Sequence, residues 1–271
     1  MKQLLFLIFL LFWMSHSIVF AQQEIVFDPD LKLTKLTNQV WVITHSFPGE
    51  SNSLIVQTNA KEVVLIDTPY TNEATETILQ YIQKEIKPQH ITAIVTGFHI
   101  DNLGGVGCLL QHKIPVYGSD LTCKLLDERT EHTMQQVVLL FNSPEQIKYR
   151  SIYTNMKFEK PDRVFTIGKG LSLKKGELSF EVFFPGESHS PDNLTVYIKE
   201  LNMLFGGCMI KSLESTNLGF TGDANMMEWP NSVRKVQEKY TDAKWVIPHH
   251  GKWGDLSLLQ HTLDLLNNQT K

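Results

Sequence analysis

The chain of 271 residues carries 25 Lys+Arg against 29 Asp+Glu, a formal net charge of −4, with no basic block and no interleaved basic-aromatic stripe. That balance excludes nucleic acid as an expected partner. No segment repeats at a period of about 20–50 residues and none is low in complexity, which sets aside solenoids and arrays.

Residues 1–21 read as an export signal. Lys2 gives a positive start, Leu4 to Met14 are almost all apolar, and Val19-Phe20-Ala21 closes on a small residue of the cleavage type. The apolar run is too short for a clear membrane span. The expected product is therefore residues 22–271, exported to the periplasm, free of the membrane and monomeric; a retained anchor is the alternative. The cysteines, Cys108, Cys123 and Cys208, are odd in number, so an exported chain keeps at least one thiol without an intrachain disulfide partner.

Strands are expected over 31–36, 39–44, 53–58 and 63–66, separated by turn residues such as Pro48-Gly49 and Thr58-Asn59. The spacing of Ile78, Leu79, Ile82 and Ile86 predicts a helix over 71–87, ended by Pro88. A short apolar strand follows at 91–96, then a short helix after Gly104-Gly105, a strand at 115–117 and helical stretches across 119–141. The second half offers strands at 164–167, 171–174 and 179–184 and a hairpin of 194–198 with 203–205. A helix at 231–240, a strand at 244–247 and a helix at 255–267 complete it, the last with Leu258, Leu259, Thr262, Leu263 and Leu266 inward. Strands followed by helix, given twice, predict an α/β (α+β) fold with two sheets packed in layers. No linker divides the halves, so residues 22–271 are read as one domain.

Five residues with metal-ligand chemistry fall just after expected strands: His99, Asp101, His189, Cys208 and His250. Loops at one edge of a rigid sheet are where function concentrates. Zinc takes imidazole, thiolate and carboxylate donors, and a catalytic site keeps a fourth position for water. Asp101, Cys208 and His250 make such a three-donor set; His99 and His189 make a thinner second one. Each has a plain alternative: a surface His-x-Asp, a turn histidine, a buried structural cysteine, or neighbouring loop histidines. His249, beside His250, is expected to be a surface imidazole. A metal-bound Cys208 needs no disulfide partner, and Cys108 and Cys123 are either buried or paired. What carries the assignment is the joint occurrence of four fragments, each closing a strand and each flanked by glycine.

The chain resembles the metallo-β-lactamases, and within them the di-zinc first subclass of class B. The resemblance runs through "VWVIT", "VVLIDTPYT", "HIDNLGG", "GESHSPDN", "FGGCMIKSL", "GDANMMEWPNS" and "GKWGDLSLLQHTLDLL", essentially the whole of residues 22–271. It implies a four-layer αβ/βα sandwich with zinc at the edge shared by its sheets, and a substrate, the strained amide of penicillins, cephalosporins or carbapenems. It implies that His99 and His189 belong to one zinc site and Asp101, Cys208 and His250 to the other. Lys211 would pair with the substrate carboxylate, and Asp67 would lie behind the ligands and steady them. The hairpin "HSFPGES", 45–51, with Phe47 near its tip, is where the family closes over substrate.

The departures matter as much. The family pattern is His-x-His-x-Asp, and here Gly97 replaces the first histidine, leaving the histidine site two protein ligands. The related mono-zinc, carbapenem-specialised subclass also lacks that histidine and works with one zinc at the Asp-Cys-His site. The expectation is one zinc held tightly by Asp101, Cys208 and His250, a second weak or absent, and His99 or Asp101 acting as general base on water. Phe220 stands where the family usually has an asparagine that polarises the lactam carbonyl, and Asn102 where it often has arginine. His249 replaces a small residue; the alternative to a surface imidazole is a ring that swings toward the depleted histidine site. Two alternatives remain at this stage: another hydrolase on the same fold, and an exported zinc-binding protein with weak or lost lactamase activity. The first would put histidine after the metal aspartate and a bridging aspartate where this chain has Asn102 and Cys208; Gly97 and Phe220 speak for the second.

Overall fold

Between residues 40 and 66, apolar side chains occupy both faces of successive strands. Trp41, Ile43, Ile55, Val63 and Leu65 fall in one buried cluster; Val40, Val42, Leu54, Val56, Val64 and Ile66 fall in another. Side chains alternate across a strand, so such a sheet must be covered on both sides. The computed structural model, which describes residues 23–269, covers it; the expected signal at 1–21 lies outside the described residues.

The first sheet has eight strands in chain order: β1 (Glu24–Asp28), β2 (Leu31–Lys35), β3 (Val40–Ser46), β4 (Glu50–Asn59), β5 (Glu62–Ile66), β6 (His90–Ile94), β7 (Val116–Ser119) and β8 (Arg163–Phe165). Neighbours are antiparallel up to β5 and parallel from β5 to β8. Its outer face is covered by α1 (Asn72–Tyr81) and by α3 (Val106–Gln111), through Ala74, Ile78, Leu79, Val106 and Leu109. The Thr71 hydroxyl caps α1 by accepting from the Ala74 N–H at 3.1 Å. The helix continues as one wider turn to Ile86 and stops at Lys87, whose φ of 56° breaks it before Pro88.

The second sheet holds β9 (Leu171–Lys175), β10 (Leu178–Phe183), β11 (Thr195–Ile198), β12 (Met203–Gly207) and β13 (Trp245–Pro248), in the order β13-β12-β11-β10-β9. Only β12 and β13 pair in parallel in this sheet. Phe180, Val182, Val196, Ile198 and Phe205 meet the first sheet in a shared core. On the far side, α7 (Trp229–Lys239) and α8 (Ser257–Gln269) bury Trp229, Val233, Val236, Leu259 and Leu263. Helices, sheet, sheet, helices: this is the expected four-layer α/β sandwich. No helix among the described residues is long and apolar enough to cross a membrane.

Several elements were not anticipated, among them the short helix at 100–103. β1 is an edge strand with its alternate residues exposed. Residues 144–155 form α6 (Pro144–Asn155), which follows α2 (Ile100–Leu103), α4 (Asp120–Glu128) and α5 (Thr130–Leu139). The helix α6 has almost no apolar stripe, yet a reciprocal Ser143/Gln146 capping box and Pro144 start it. It buries only Tyr149 and Tyr153. These two rings grip the tip of the β3–β4 hairpin, where Phe47 lies edge-on to Tyr149 at 4.9 Å between centroids and stacks on Tyr153 at 5.8 Å.

Among the described glycines the closest approach to other backbone is at Gly104, where a Cβ would sit 2.1 Å from the Tyr70 carbonyl oxygen. That backbone cannot yield as a flexible side chain would. Gly104→Ala is expected to lower the unfolding free energy in urea by about 3 kcal/mol. Gly168→Ala, where a Cβ meets nothing within 4 Å, should change it by less than about 0.5 kcal/mol.

Candidate metal centre

Parallel strand pairs end at the same edge of a sheet, and the site uses two such pairs. Ile66 and Ile94 are in register at the ends of β5 and β6, and Gly207 and Pro248 at the ends of β12 and β13. Asp67 follows the first strand, His99 and Asp101 the second, Cys208 the third, His249 and His250 the fourth. His189 comes from the turn between β10 and β11. The Leu194 N–H donates to the Thr96 carbonyl at 2.9 Å, tying that turn to the β6 loop.

Asp67 organises the first-sheet side. It is wholly buried, with φ of 58°. Its carboxylate accepts from the Thr96 N–H at 2.7 Å, the Thr96 hydroxyl at 2.6 Å and the Asn102 amide at 3.1 Å. The loop that carries His99 and Asp101 is thereby fixed. On the other side, the Asn52 amide bridges to the carbonyls of Pro248 and Gly251 at 3.0 and 2.8 Å.

The side chains converge. Cys208 Sγ lies 3.4 Å from Asp101 Oδ2, and His250 Nε2 lies 3.0 Å from the same oxygen. His250 Nδ1 donates to the Glu50 carbonyl at 2.6 Å, which turns Nε2 inward. Three of the five expected ligands, Asp101, Cys208 and His250, thus form one group with donor atoms within 4.8 Å of one another. His99 and His189 stand beside it as a perpendicular pair, ring centroids 5.2 Å apart. His99 Nε2 is engaged by Asp223 Oδ2 at 3.0 Å, and His189 Nδ1 is buried without a partner. His99, Asp101, His189 and His250 border a cavity of about 270 Å³ that Lys211 and Phe220 also line. Met134, Val137, Leu140 and Phe141 give it an apolar wall.

Residues 46–265 match the sequence profile of the metallo-beta-lactamase superfamily. Two relatives described as metallo-beta-lactamase type 2, from Bacillus sp. (strain 170) and Bacillus cereus, are each 31% identical over 241 residues, covering 87% of this chain and 82% of theirs. Among solved structures, a metallo-beta-lactamase from Pontibacter korlensis is 36% identical with a TM-score of 0.73, covering 88% of this chain and all (100%) of that one. The DIM-1 metallo-beta-lactamase is 28% identical with a TM-score of 0.70, covering 89% and 99%. The chain belongs to the metallo-β-lactamase superfamily.

Against that family, one expectation is corrected. His249 is not a surface imidazole: it is wholly buried, with Nδ1 2.8 Å from Cys208 Sγ and 3.1 Å from Asp101 Oδ2. Its apolar neighbours explain the burial, since the strand β13 runs straight into the core and carries the next residue with it. Asp223 was also missed. It accepts from the Thr133 hydroxyl at 2.8 Å and lies 3.7 Å from the Arg129 guanidinium while holding His99. "GDAN" was part of the family resemblance, but only packing shows which ring its aspartate meets. The three cysteines are all free, and Cys108 is buried against Glu76.

Phe220 sets its ring edge-on to His99 at 5.8 Å and to His189 at 6.5 Å, so it offers the cavity no hydrogen-bond donor. Lys211 is buried, with Nζ 5.4 Å from the centre of the Trp229 ring. A carboxylate, a thiol and two imidazoles are the donors that suit zinc and similar divalent cations. Without a cation, the charges are balanced by protons. Burial and the Asp101 charge push the Cys208 thiol up, but His249 and His250 outweigh them and bring it down to about 5. Burial pushes His250 down, while hydrogen bonds to Asp101 and Cys208 raise it to about 9.

A pH dependence follows. Below about pH 9 the metal-free His250 holds a proton that a cation must displace, so acid opposes binding. Competition against a chromophoric chelator should show apparent zinc affinity rising about tenfold or more per pH unit between roughly pH 6 and pH 8. A flat profile would mean that His250 is not a ligand.

Proposed function

We propose that this chain is an exported, zinc-dependent β-lactamase that works with one tightly held zinc at Asp101, Cys208 and His250, a second being weak or absent. The observation that carries the reading is the convergence of a thiol and an inward-turned imidazole on one carboxylate oxygen, at 3.4 and 3.0 Å, beside a cavity. Membership of a superfamily whose matched relatives are described as β-lactamases supplies the reaction class. On this reading residues 22–271 act as one monomeric domain in the periplasm, after removal of 1–21.

Bound zinc would supply positive charge for the departing lactam nitrogen and would acidify nearby water. The rest falls to the chain's own residues. His99, oriented by Asp223, is the candidate general base: its ring borders the cavity and takes the proton of a water that adds to the lactam carbonyl. As the carbon–nitrogen bond breaks, that proton passes to the amine nitrogen. In the metal-free chain burial lowers His99 but Asp223, Cys208 and Asp101 raise it to about 10. Since Asp101 and Cys208 are among the groups that hold the proton, neutralising them with a dication frees the imidazole. Asp101 is the second candidate base. Lys211 faces the cavity as the partner of a substrate carboxylate, and the apolar wall accommodates a substituent of the drug.

Gly97 and Phe220 favour a second reading, a zinc-binding member of the family with weak activity. Losing one carbonyl-polarising donor costs about 10²–10³ in turnover in enzymes that depend on it. Phe220→Asn should therefore raise kcat on a chromogenic cephalosporin about tenfold or more with zinc content unchanged; no gain would assign the polarisation to other groups.

Zinc per chain after dialysis, measured beside hydrolysis of that cephalosporin with and without chelator, tests the main reading. One retained equivalent and chelator-sensitive hydrolysis are expected; two retained equivalents would reject the one-zinc picture. In Gly97→His the added Cβ meets the Asn102 side chain at an ordinary 3.5 Å. The substitution should raise affinity for a second zinc, and no change would count against His99 and His189 as that site.

A further inference from the structure

We propose that His249 is a fourth protein ligand of the cation at Asp101, Cys208 and His250, through Nδ1. The inference rests on the metal-centre reading above and goes beyond it. It replaces a three-donor set with a closed one of one carboxylate, one thiolate and two imidazoles.

The first argument is aim. His249 Nδ1 touches the same two groups that would hold the ion, Cys208 Sγ at 2.8 Å and Asp101 Oδ2 at 3.1 Å. A tetrahedral zinc with ligand bonds of about 2.0–2.3 Å sets its donors roughly 3.3–3.7 Å apart. The four donors, now 2.8–3.4 Å apart where they touch, need to spread by about half an ångström to admit the ion.

The second argument is the far side of the ring. His249 Nε2 is buried without a hydrogen-bond partner, and the nearest carboxylate oxygen, Asp67 Oδ2, stands 3.5 Å away. A carboxylate behind an imidazole holds the hydrogen on that nitrogen and leaves the other lone pair for a metal. A shift of the ring toward Asp67 makes room at the centre and closes this contact in one movement.

The third argument is that the ring has nowhere else to go. The His249 N–H donates to the Gly207 carbonyl at 3.1 Å, and its carbonyl accepts from the Asn52 N–H at 2.6 Å. One strand of each sheet thus pins the residue, whose side chain is 0% exposed. From the first-sheet side Asp67 meets the neutral amide of Asn102 at 3.1 Å. His249 brings an imidazole to that same carboxylate from the opposite sheet.

Four protein donors are typical of zinc sites that hold structure, and catalytic sites keep one position open. A closed set would make water and substrate add as a fifth ligand, and would retain the ion where Gly97 has thinned the neighbouring site.

X-ray absorption at the zinc edge of the one-zinc wild-type protein tests this, because imidazole rings give an outer-sphere signal that can be counted. Two imidazoles and one sulfur are expected, falling to one imidazole in His249→Ala and staying at two in His189→Ala and His99→Ala. A single imidazole in the wild type overturns the proposal even if the alanine variant of His249 fails to fold. Two imidazoles that fall to one in His189→Ala or His99→Ala assign the second ring there and also overturn it. No zinc retained at all overturns the metal-centre reading, and this inference with it.

Discussion

A carboxylate and a thiol with its pKa brought down to about 5 lie 3.4 Å apart at the joined edge of two sheets, both almost fully buried. Like charges in such a place are costly unless positive charge sits between or beside them. Most of the local structure is an answer to that demand. His249 and His250 supply it in the form of protons, and a divalent cation would supply it in the same space. The fold can afford the arrangement because neither group belongs to a movable loop. Cys208 directly follows β12, and Asp101 sits in the first turn of α2, on the stretch that Asp67 ties down through Thr96 and Asn102.

Rigidity comes from ties between the two sheets and within the first. Asn52 of β4 holds the backbone on both sides of His249 and His250, and Glu50 orients His250. Asp67 holds the loop of His99 and Asp101 through Thr96 and Asn102. These ties are polar and buried, so removing one partner leaves another unsatisfied. They also explain why the ligands can come from residues as far apart as 101 and 250 and still meet within hydrogen-bond distance. The cavity adds a contrast of chemistry: charged groups at the base, an apolar wall from α5 at the side, and a phenyl ring where a donor would polarise a carbonyl.

Much of this was legible in the sequence. Alternation and helical spacing place nearly every strand and helix to within a few residues, because the two-faced strands 40–66 and the one-faced helix at 72–86 bury large apolar surfaces. The helix α6 was not legible by that route, since its stability rests on a capping box and two tyrosines and not on an apolar stripe. The edge strand β1 fails for a similar reason: beyond its pairing with β2 only Ile25 and Phe27 pack on the core, too few to set a pattern. That Asp101, Cys208 and His250 converge could be read from the sequence because each lies past an expected strand and near glycine, where loops at one sheet edge gather polar side chains. His249 could not, because nothing local shows that two neighbouring imidazoles both turn toward Asp101 until the loop after β13 is folded. Asp223 lies 124 residues from the ring it orients, a distance no local pattern spans.

Gly97 and Phe220 bear on the same edge from opposite sides, one thinning the histidine pair and the other removing a donor. The Asp101–Cys208–His250 group is untouched by both. That asymmetry is why the account centres on one ion. Anomalous scattering at the zinc edge from crystals grown with zinc tests it most directly. The account predicts one dominant peak about 2.0–2.3 Å from Asp101, Cys208 Sγ and His250 Nε2; a peak confined to His99 and His189, or none at this edge, would contradict it.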